Sequence, residues 1–285
     1  MKHNGLIAID IDGTLTAVRD ALSQEVIEFL QKVQVNGWKL LFVTGRTLDW
    51  SLKLLHCLPF EFYLSVFNGA YTIEYPEKHV IRKCFLSLDH VLWVVQLVQN
   101  EDVGIVLYGA PDKDSRSFFY QKFASSMLVQ HLLARQKAMC DAWSEVDKVM
   151  DLPSNCFASI RLFCLPHTAK KLSQSIEEIT KLHAPVMKDS YDEGFSVVQV
   201  THSQVSKGHA LDHVLHYLGK KDQVIVCGDD YNDISMLKKA DVAVVMAQAP
   251  SEVLALADIV APTAKNNGII QGLNSAFALI DKTGL

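Results

Sequence analysis

Short apolar runs alternate with amphipathic segments near the start of the chain. Residues 6–10 and 38–43 are almost continuously apolar, as expected of strands buried on both faces of a parallel sheet. Between them, Ser23 is a suitable helix N-cap, and apolar residues then recur at helical spacing until Asn36 and Gly37. Strand, helix and strand in this order predict a right-handed βαβ unit.

The same alternation returns near the end of the chain. Ser206 is expected to cap a helix that runs to about Leu218, with Gly219 behind it. The other elements predicted there are strands at 223–227, 241–246 and 257–261 and a closing helix at 268–280. Because both ends of the chain read as βα units, we predict an α/β fold in which they form halves of one doubly wound parallel sheet.

The pattern between these ends is looser and predicts an α+β domain inserted into the sheet domain. Its predicted elements are helices at 88–99, 118–137 and 167–182, a half-exposed antiparallel strand at 158–163, and a hairpin of residues 187–190 and 195–200 around the turn 191–194. We therefore predict a discontinuous core domain, residues 1–82 and 194–285, and an inserted domain, residues 83–193.

Composition narrows the class of protein. With 49% hydrophobic and 21% charged residues, the chain is globular and not intrinsically disordered. Its net charge of −5, without a basic patch, argues against nucleic acid or an anionic membrane as partner. Asp10 interrupts the N-terminal apolar run, so no signal peptide is predicted. No stretch approaches the roughly 20 apolar residues that a membrane helix needs, so none is predicted. Six cysteines without a C-x-x-C pair favour reduced thiols and a cytoplasmic location.

Carboxylates follow two of the predicted strands at the point where each strand ends. Asp10 and Asp12 follow the first strand, and Asp229 and Asp233 follow the strand at 223–227. The carboxyl ends of parallel strands share one edge of a sheet, so we expect these side chains to converge. Converging carboxylates repel each other unless a cation lies among them, and oxygen ligands without His or Cys favour Mg²⁺. The sequence therefore predicts a magnesium site at this edge.

Two further residues indicate that the site takes a phosphate group. Thr44 follows the second strand and Lys207 begins a helix, so a hydroxyl, an ammonium and a helix N-terminus would share the same edge. A Mg²⁺ ion held by a few carboxylates keeps coordination positions for a phosphate oxygen. An aspartate can itself attack phosphorus and form an aspartyl phosphate. The pattern therefore favours phosphoryl transfer.

Four segments, in chain order, resemble the motifs of the haloacid dehalogenase (HAD) superfamily. They are Asp10-Ile11-Asp12-Gly13-Thr14-Leu15, Val43-Thr44-Gly45-Arg46, Val205-Ser206-Lys207-Gly208 and Gly228-Asp229-Asp230-Tyr231-Asn232-Asp233. Residues 68–70 and 257–263 are also similar to segments of the Cof-type subfamily, subclass IIB. The resemblance covers nearly the whole chain. It implies a HAD-like, Rossmannoid core with an inserted cap domain of the C2B type.

The resemblance also implies roles for the matching residues. Asp10 would be the nucleophile, and Asp12 would be the general acid and base. The implied ligands of Mg²⁺ are Asp10, Asp12 through its backbone carbonyl, Asp229 and Asp233. The implied phosphate- and substrate-binding residues are Gly13, Thr44, Gly45, Arg46, Asn68, Lys207 and Asn232. For Arg46 a second role stays open, an ion pair that braces the edge of the loop.

The implied function is a Mg²⁺-dependent phosphatase for a small phosphorylated metabolite, such as a sugar phosphate. Two alternatives stay open: a phosphomutase of the phosphomannomutase type, and a non-catalytic protein that binds phosphorylated ligands on the same fold. The G-D-x-x-N-D form of the fourth motif favours the phosphatase over the mutase. The expected partner is the small substrate, with no nucleic acid and no membrane, and the expected state is a monomer or weak homodimer.

Overall fold

The chain forms two compact units. A computed structural model describes residues 5–17, 21–139, 142–189, 191–192, 194–219 and 223–283. The first unit comprises Met1–Lys83 and Ser206–Leu285, and the second comprises Cys84–Val205. The second boundary therefore falls after Val205 and not after residue 193 as predicted. The reason is that residues 196–200 form a strand that pairs within the second unit.

The strands in chain order are β1 (Gly5–Asp10), β2 (Lys39–Val43), β3 (Phe62–Val66), β4 (Tyr71–Tyr75), β5 (His79–Lys83), β6 (Leu86–Ser87), β7 (Gly104–Gly109), β8 (Ser117–Tyr120), β9 (Trp143–Glu145), β10 (Cys156–Cys164), β11 (Val186–Lys188), β12 (Ser196–Val200), β13 (Gln223–Gly228), β14 (Val242–Met246) and β15 (Ile259–Ala261). The helices are α1 (Gln24–Val35), α2 (Leu48–Leu55), α3 (Leu88–Val98), α4 (Ser126–Met139), α5 (Pro166–Thr180), α6 (Lys207–Leu218), α7 (Ile234–Leu237), α8 (Ser251–Leu254) and α9 (Gly268–Thr283). Across the described ranges, no helix is both long and apolar enough to cross a membrane.

The sheet of the first unit has the strand order β15-β14-β13-β1-β2-β3-β4-β5. The neighbours from β15 to β3 are parallel, whereas β4 and β5 extend the sheet as antiparallel strands. β1 lies between β13 and β2, with Ile9 opposite Cys227 and Asp10 opposite Val43. The carboxyl ends of these three strands therefore lie side by side.

Helices pack on both faces of this sheet, as the doubly wound prediction requires. Ala243 and Val245 share a buried cluster with α6 on one face. Val244 points to the opposite face because successive strand residues alternate. A Cβ atom on Gly272 of α9 would lie 2.6 Å from Val244, so α9 packs there. The predicted α/β core is confirmed.

The first turn of α6 is fixed by its N-cap. The Ser206 hydroxyl accepts a hydrogen bond from the His209 backbone N–H at 3.1 Å, so the helix begins at Lys207 as predicted. Ser23 caps α1 in the same way, with the Val26 N–H as donor at 3.3 Å. The Ser206 cap therefore places Lys207, which is itself buried, in the first turn of α6.

The second unit contains a mainly antiparallel sheet of order β11-β12-β10-β7-β8-β9, with β6 paired to β10. Helices α3 and α5 share a buried core with this sheet. The predicted helices at 88–99 and 167–182 are confirmed as α3 and α5. β11 and β12 are antiparallel, as predicted for a hairpin, although residues 190 and 193 of the connection lie outside the described residues.

Two predictions for the second unit are wrong in part. The segment 118–137 was predicted as one helix, but Ser117–Tyr120 forms β8 and only Ser126–Met139 is helical. Antiparallel pairing with β7 buries Phe118 and Tyr120 in the core, a contact that local periodicity does not reveal. The strand predicted as half-exposed, β10, is largely buried on both faces, with Ser159 as buried as Ile160.

Candidate active site

Three carboxylates converge at the carboxyl edge of the first unit's sheet. Asp10 ends β1, Asp229 follows β13, and Asp233 ends the 3₁₀ turn at Tyr231–Asp233. One oxygen from each residue lies within 4.8 Å of the others. Asp10 and Asp233 are buried and Asp229 is partly buried. The structure therefore brings together three of the four residues that the resemblance assigns to a metal ion. We call Asp10, Asp229 and Asp233 the carboxylate cluster.

Lys207 supplies a positive charge to this cluster. Its Nζ donates to Asp10 Oδ1 at 2.5 Å and to Asp233 Oδ1 at 2.6 Å, and the residue is only 2% exposed. Burial disfavours a charged lysine, but the two carboxylates outweigh burial and raise the pKa of Lys207 above its usual range. The ammonium is therefore charged at neutral pH and stabilises two buried carboxylates at once.

One ammonium does not neutralise the cluster. Burial raises the pKa of Asp10 well above its ordinary value, against the opposing effect of Lys207, and the charges of Asp233 and Asp229 raise it further. Burial and then Asp233 also raise the pKa of Asp229 to about 6. Asp10 Oδ2 is buried without a hydrogen-bond partner in the described structure. An all-oxygen donor set with surplus negative charge fits a Mg²⁺ ion.

Neighbouring side chains fix the orientation of Asp229. Thr14 Oγ1 donates to Asp229 Oδ1 at 3.1 Å, and Gln248 Nε2 donates to the Gly13 carbonyl at 2.6 Å and to Asp229 Oδ2 at 3.3 Å. Gly13 has φ +86°, and a Cβ atom there would lie 2.1 Å from Asp229 Oδ2, so this close approach requires glycine. Gln248 was not predicted as a site residue. Its position just after β14, beside β13, is the signal that places it at this edge.

Asp233 is fixed by the backbone around it. Its Oδ2 accepts hydrogen bonds from the N–H groups of Asp229 and Asp230 at 2.9 and 3.0 Å, while its Oδ1 faces Lys207. Asp230 caps the 3₁₀ turn through the Tyr231 N–H at 2.8 Å. The turn after β13 is therefore built to hold the Asp233 carboxylate in one orientation.

The other predicted binding residues form a second group at the same edge. Thr44 follows β2 and is fully buried, and its carbonyl accepts a hydrogen bond from the Asn68 N–H at 2.8 Å. Asn68 adopts a left-handed conformation, with φ 56°, and its Oδ1 accepts a hydrogen bond from Asn232 Nδ2 at 3.2 Å. The loops after β2, β3 and β13 are thereby joined, and hydroxyl and amide groups lie at their junction.

Asp12 and Arg46 form an ion pair, which is one of the two roles expected for Arg46. Arg46 Nε lies 3.0 Å from Asp12 Oδ1 and 2.8 Å from Oδ2, and Nη2 also contacts Oδ1. The Asp12 side chain is 54% exposed and lies outside the carboxylate cluster, whereas Arg46 is 12% exposed. Arg46 was expected to contact substrate, and in the structure its guanidinium binds Asp12. Gly45 lies between Thr44 and Arg46 and is partly buried.

Comparison with known proteins identifies relatives along the whole chain. 5-Amino-6-(5-phospho-D-ribitylamino)uracil phosphatase YitU of Bacillus subtilis (strain 168) is 24% identical over 281 residues, covering 96% of this chain and 98% of YitU. Pyridoxal phosphate phosphatase YbhA of Escherichia coli (strain K12) is 24% identical over 278 residues, covering 95% and 97%. Both relatives therefore align with this chain over both units.

A solved structure and a family match complete the comparison. The structure of the HAD subclass IIB sugar phosphatase BT4131 superposes on this chain with a TM-score of 0.70 at 20% sequence identity. The superposition covers 95% of this chain and 98% of BT4131, so the two proteins share a fold. Residues 7–273 match the haloacid dehalogenase-like hydrolase family. This match includes every strand end that carries the carboxylate cluster, and the chain therefore belongs to the haloacid dehalogenase-like hydrolases.

Proposed function

We propose that this protein is a Mg²⁺-dependent phosphatase that hydrolyses a small phosphomonoester through an aspartyl phosphate on Asp10. The observation that carries the proposal is the environment of Asp10. Lys207 fixes its Oδ1 at 2.5 Å, and its Oδ2 is buried without a hydrogen-bond partner in the described structure. A carboxylate that is held by one oxygen and makes no hydrogen bond through the other is suited to attack phosphorus through that second oxygen.

Asp10, Asp229 and Asp233 would hold the metal ion, with Asp12 adding its backbone carbonyl. Bound Mg²⁺ would offset the negative charge of the carboxylates and of the phosphate oxygens, which otherwise repel each other. Thr14 and Gln248 would keep Asp229 oriented for this role.

The reaction divides between two carboxyl groups in different environments. Asp10 Oδ2 would form a bond to phosphorus while the bond from phosphorus to the leaving oxygen breaks, and Asp12 would give that oxygen a proton. Asp12 would then take a proton from water as the water oxygen attacks phosphorus, which releases phosphate and restores Asp10. The 54% exposure of the Asp12 side chain suits its role, because the acid has to reach the leaving group.

Phosphate oxygens would be bound by side chains of the same edge. The Lys207 ammonium and the Thr44 hydroxyl lie at the start of α6 and the end of β2, and both residues are buried. Asn68 and Asn232, which are joined by a hydrogen bond, offer amide groups to the phosphate or the adjacent substrate. Buried donors of this kind stabilise charge that develops on phosphate oxygens during transfer.

The relatives support a small substrate. YitU and YbhA are named for phosphatase activity on a phosphoribitylaminouracil and on pyridoxal phosphate, and BT4131 is described as a sugar phosphatase. These are phosphomonoesters of small metabolites. We therefore extend this substrate class, with sugar phosphates included, to the present protein.

The test is phosphate release from 4-nitrophenyl phosphate, sugar phosphates, nucleotides and pyridoxal phosphate, each with Mg²⁺ and with EDTA. We expect Mg²⁺-dependent release that Asp10→Asn abolishes while its circular dichroism is unchanged. Asp212→Asn is the control, since it removes a surface carboxylate that pairs with Lys239 in the same unit, and it should retain activity.

Three results would contradict the proposal, each differently. Full activity of Asp10→Asn would exclude the covalent mechanism. A sugar phosphate isomerised without phosphate release would identify a mutase. No turnover of any compound by a folded, Mg²⁺-binding protein would indicate a non-catalytic binding role.

A further inference from the structure

We propose that Arg46 is a positioning residue for Asp12. It holds the Asp12 carboxyl group where that group can give a proton to the leaving oxygen and later take a proton from water. This inference rests on the proposed phosphatase function. It gives Arg46 a task different from the substrate contact expected from the sequence.

Arg46 is the anchored partner of the pair. Its N–H donates to Thr44 Oγ1 at 3.1 Å, and its carbonyl accepts a hydrogen bond from the Phe67 N–H at 3.0 Å. Its guanidinium carbon lies 5.5 Å from the centre of the Trp50 ring, and its side chain is only 12% exposed. Backbone and side chain are thus both fixed relative to the end of β2.

Asp12 is the partner with freedom to move. Its side chain is 54% exposed and follows β1 in a loop. An exposed aspartate without a fixed contact would sample several staggered rotamers. The Arg46 guanidinium group, whose planar N–H donors form a fork, holds the Asp12 carboxylate in one rotamer. Its Nε contacts both carboxylate oxygens and its Nη2 contacts one of them. A lysine at this position could supply charge but not this planar, two-point contact.

Both steps of the proposed reaction depend on where the Asp12 carboxyl group lies. In the first step a proton moves from Asp12 to the leaving oxygen as the bond from that oxygen to phosphorus breaks. In the second step a proton moves from water to Asp12 as the water oxygen bonds to phosphorus. Both transfers need the carboxyl within hydrogen-bond reach of the proton. The fork occupies one edge of the carboxylate, and a lone pair on the remaining edge can carry the proton.

The dependence of the rate on the leaving group separates this role from others. 4-Nitrophenolate is a stable anion and leaves without a proton, whereas the alkoxide of glycerol 2-phosphate needs one. In Arg46→Met we expect kcat/KM for glycerol 2-phosphate to fall roughly 10- to 100-fold. For 4-nitrophenyl phosphate we expect a loss below about threefold, because the acid contributes little to that step. Arg46→Lys should recover only part of the loss.

A matched control exists on the same aromatic ring. Lys53 Nζ lies 6.0 Å from the centre of the Trp50 ring, on which Arg46 also lies. Lys53→Met therefore removes a cation from this ring and leaves Asp12 with Arg46. Both substrates should be turned over at the wild-type rate. In addition, Asp12→Asn combined with Arg46→Met should be no slower on glycerol 2-phosphate than Asp12→Asn alone, because Arg46 acts through Asp12.

Several outcomes would overturn the inference. Equal losses on both substrates would leave the ratio of alkyl to aryl turnover unchanged and would show that Arg46 binds the phosphate and does not position Asp12. Wild-type rates on both substrates would show that it does neither. Additive losses in the double variant would also show that it does not position Asp12. If Arg46→Met does not fold, Arg46→Lys decides, because it must still lower the ratio of alkyl to aryl turnover. A wild-type protein without any turnover would refute the proposed function itself, whereas an unchanged ratio in an active enzyme refutes only the role of Arg46.

Discussion

Replacing Lys207 with Met tests whether the buried ammonium stabilises the carboxylate cluster. Met keeps an unbranched side chain of similar length and removes only the charge and its hydrogen bonds. Asp10 Oδ1 and Asp233 Oδ1 would then lose donors at 2.5 and 2.6 Å. Both carboxylates are buried, so solvent cannot replace the lost contacts.

The size of the effect follows from this geometry. Removing one partner of a buried ion pair costs about 3–5 kcal/mol. The loss is not doubled for the two carboxylates, because burial raises the pKa of Asp10 and allows it to take up a proton when Lys207 is gone. We therefore expect Lys207→Met to lower the free energy of unfolding by about 3–5 kcal/mol in EDTA. The loss should be smaller in saturating Mg²⁺, which restores positive charge to the cluster.

Hydrogen exchange measured by mass spectrometry is the suitable assay. Peptides that contain β1 and β13 belong to the first unit, so their exchange reports its unfolding separately from the second unit. A loss of about 3–5 kcal/mol corresponds to exchange that is roughly 10²- to 10⁴-fold faster in EDTA. Lys239→Met is the control, because Lys239 pairs with Asp212 at 2.7 Å on the surface, where an ion pair contributes about 0–1 kcal/mol.

Wild-type exchange rates for Lys207→Met in EDTA would refute this account of the cluster. A loss in the free energy of unfolding no larger than that of Lys239→Met would also refute it, because the buried ion pair would then stabilise the fold no more than an exposed one. An undiminished loss in Mg²⁺ would contradict the assignment of the cation to these carboxylates.

Four further predictions concern the residues around the cluster. Asp12→Asn should bind an alkyl phosphate normally but lose about 10²- to 10⁴-fold in kcat, and a steady-state assay that finds normal kcat would exclude Asp12 as the acid. Because burial and then Asp233 raise the pKa of Asp229 to about 6, a proton competes with the metal below that pH, so calorimetry should show Mg²⁺ affinity falling by up to about tenfold per pH unit below pH 6. In EDTA the folded protein keeps the Asp229 proton up to about pH 6, whereas the unfolded chain releases it near pH 3.8. The free energy of unfolding should therefore fall by at most about 3 kcal/mol as the pH rises from about 4 to about 6. Melting temperatures that rise over this range would contradict the raised pKa of Asp229. Gln248→Leu should weaken Mg²⁺ binding roughly 10- to 100-fold, with Gln24→Leu on the surface of α1 as an unaffected control, and equal affinities would show that Gln248 does not orient Asp229.

The sequence predicted that these side chains converge at one edge of the sheet, for a physical reason. Asp10, Thr44 and Asp229 follow short apolar runs that are typical of buried strands, and Lys207 follows a serine N-cap. In a parallel sheet the carboxyl ends of adjacent strands meet, so strand assignment alone brings these residues together. The placement therefore depended on local pattern and one topological rule.

The contacts that orient these residues could not be predicted. Arg46 was expected to face substrate, but its partner depends on side-chain rotamers in two separate loops. Gln248 carries no charge and belongs to no recognised motif, so only its position beside Asp229 reveals it. In the second unit, the aromatic run at Phe118–Tyr120 is compatible with helix or strand, and pairing with β7 decides the outcome.

In the proposed mechanism Asp10 carries the phosphoryl group, and identifying the phosphorylated residue tests this step. Asp12→Asn mixed with 4-nitrophenyl phosphate and Mg²⁺ should accumulate the intermediate, because the leaving group needs no proton while water activation needs Asp12. Acid quenching, borohydride reduction and peptide mass spectrometry should then find homoserine at position 10, and none in the variant that also carries Asp10→Asn. Homoserine at another position, or none at all in a sample that releases 4-nitrophenol, would contradict the account.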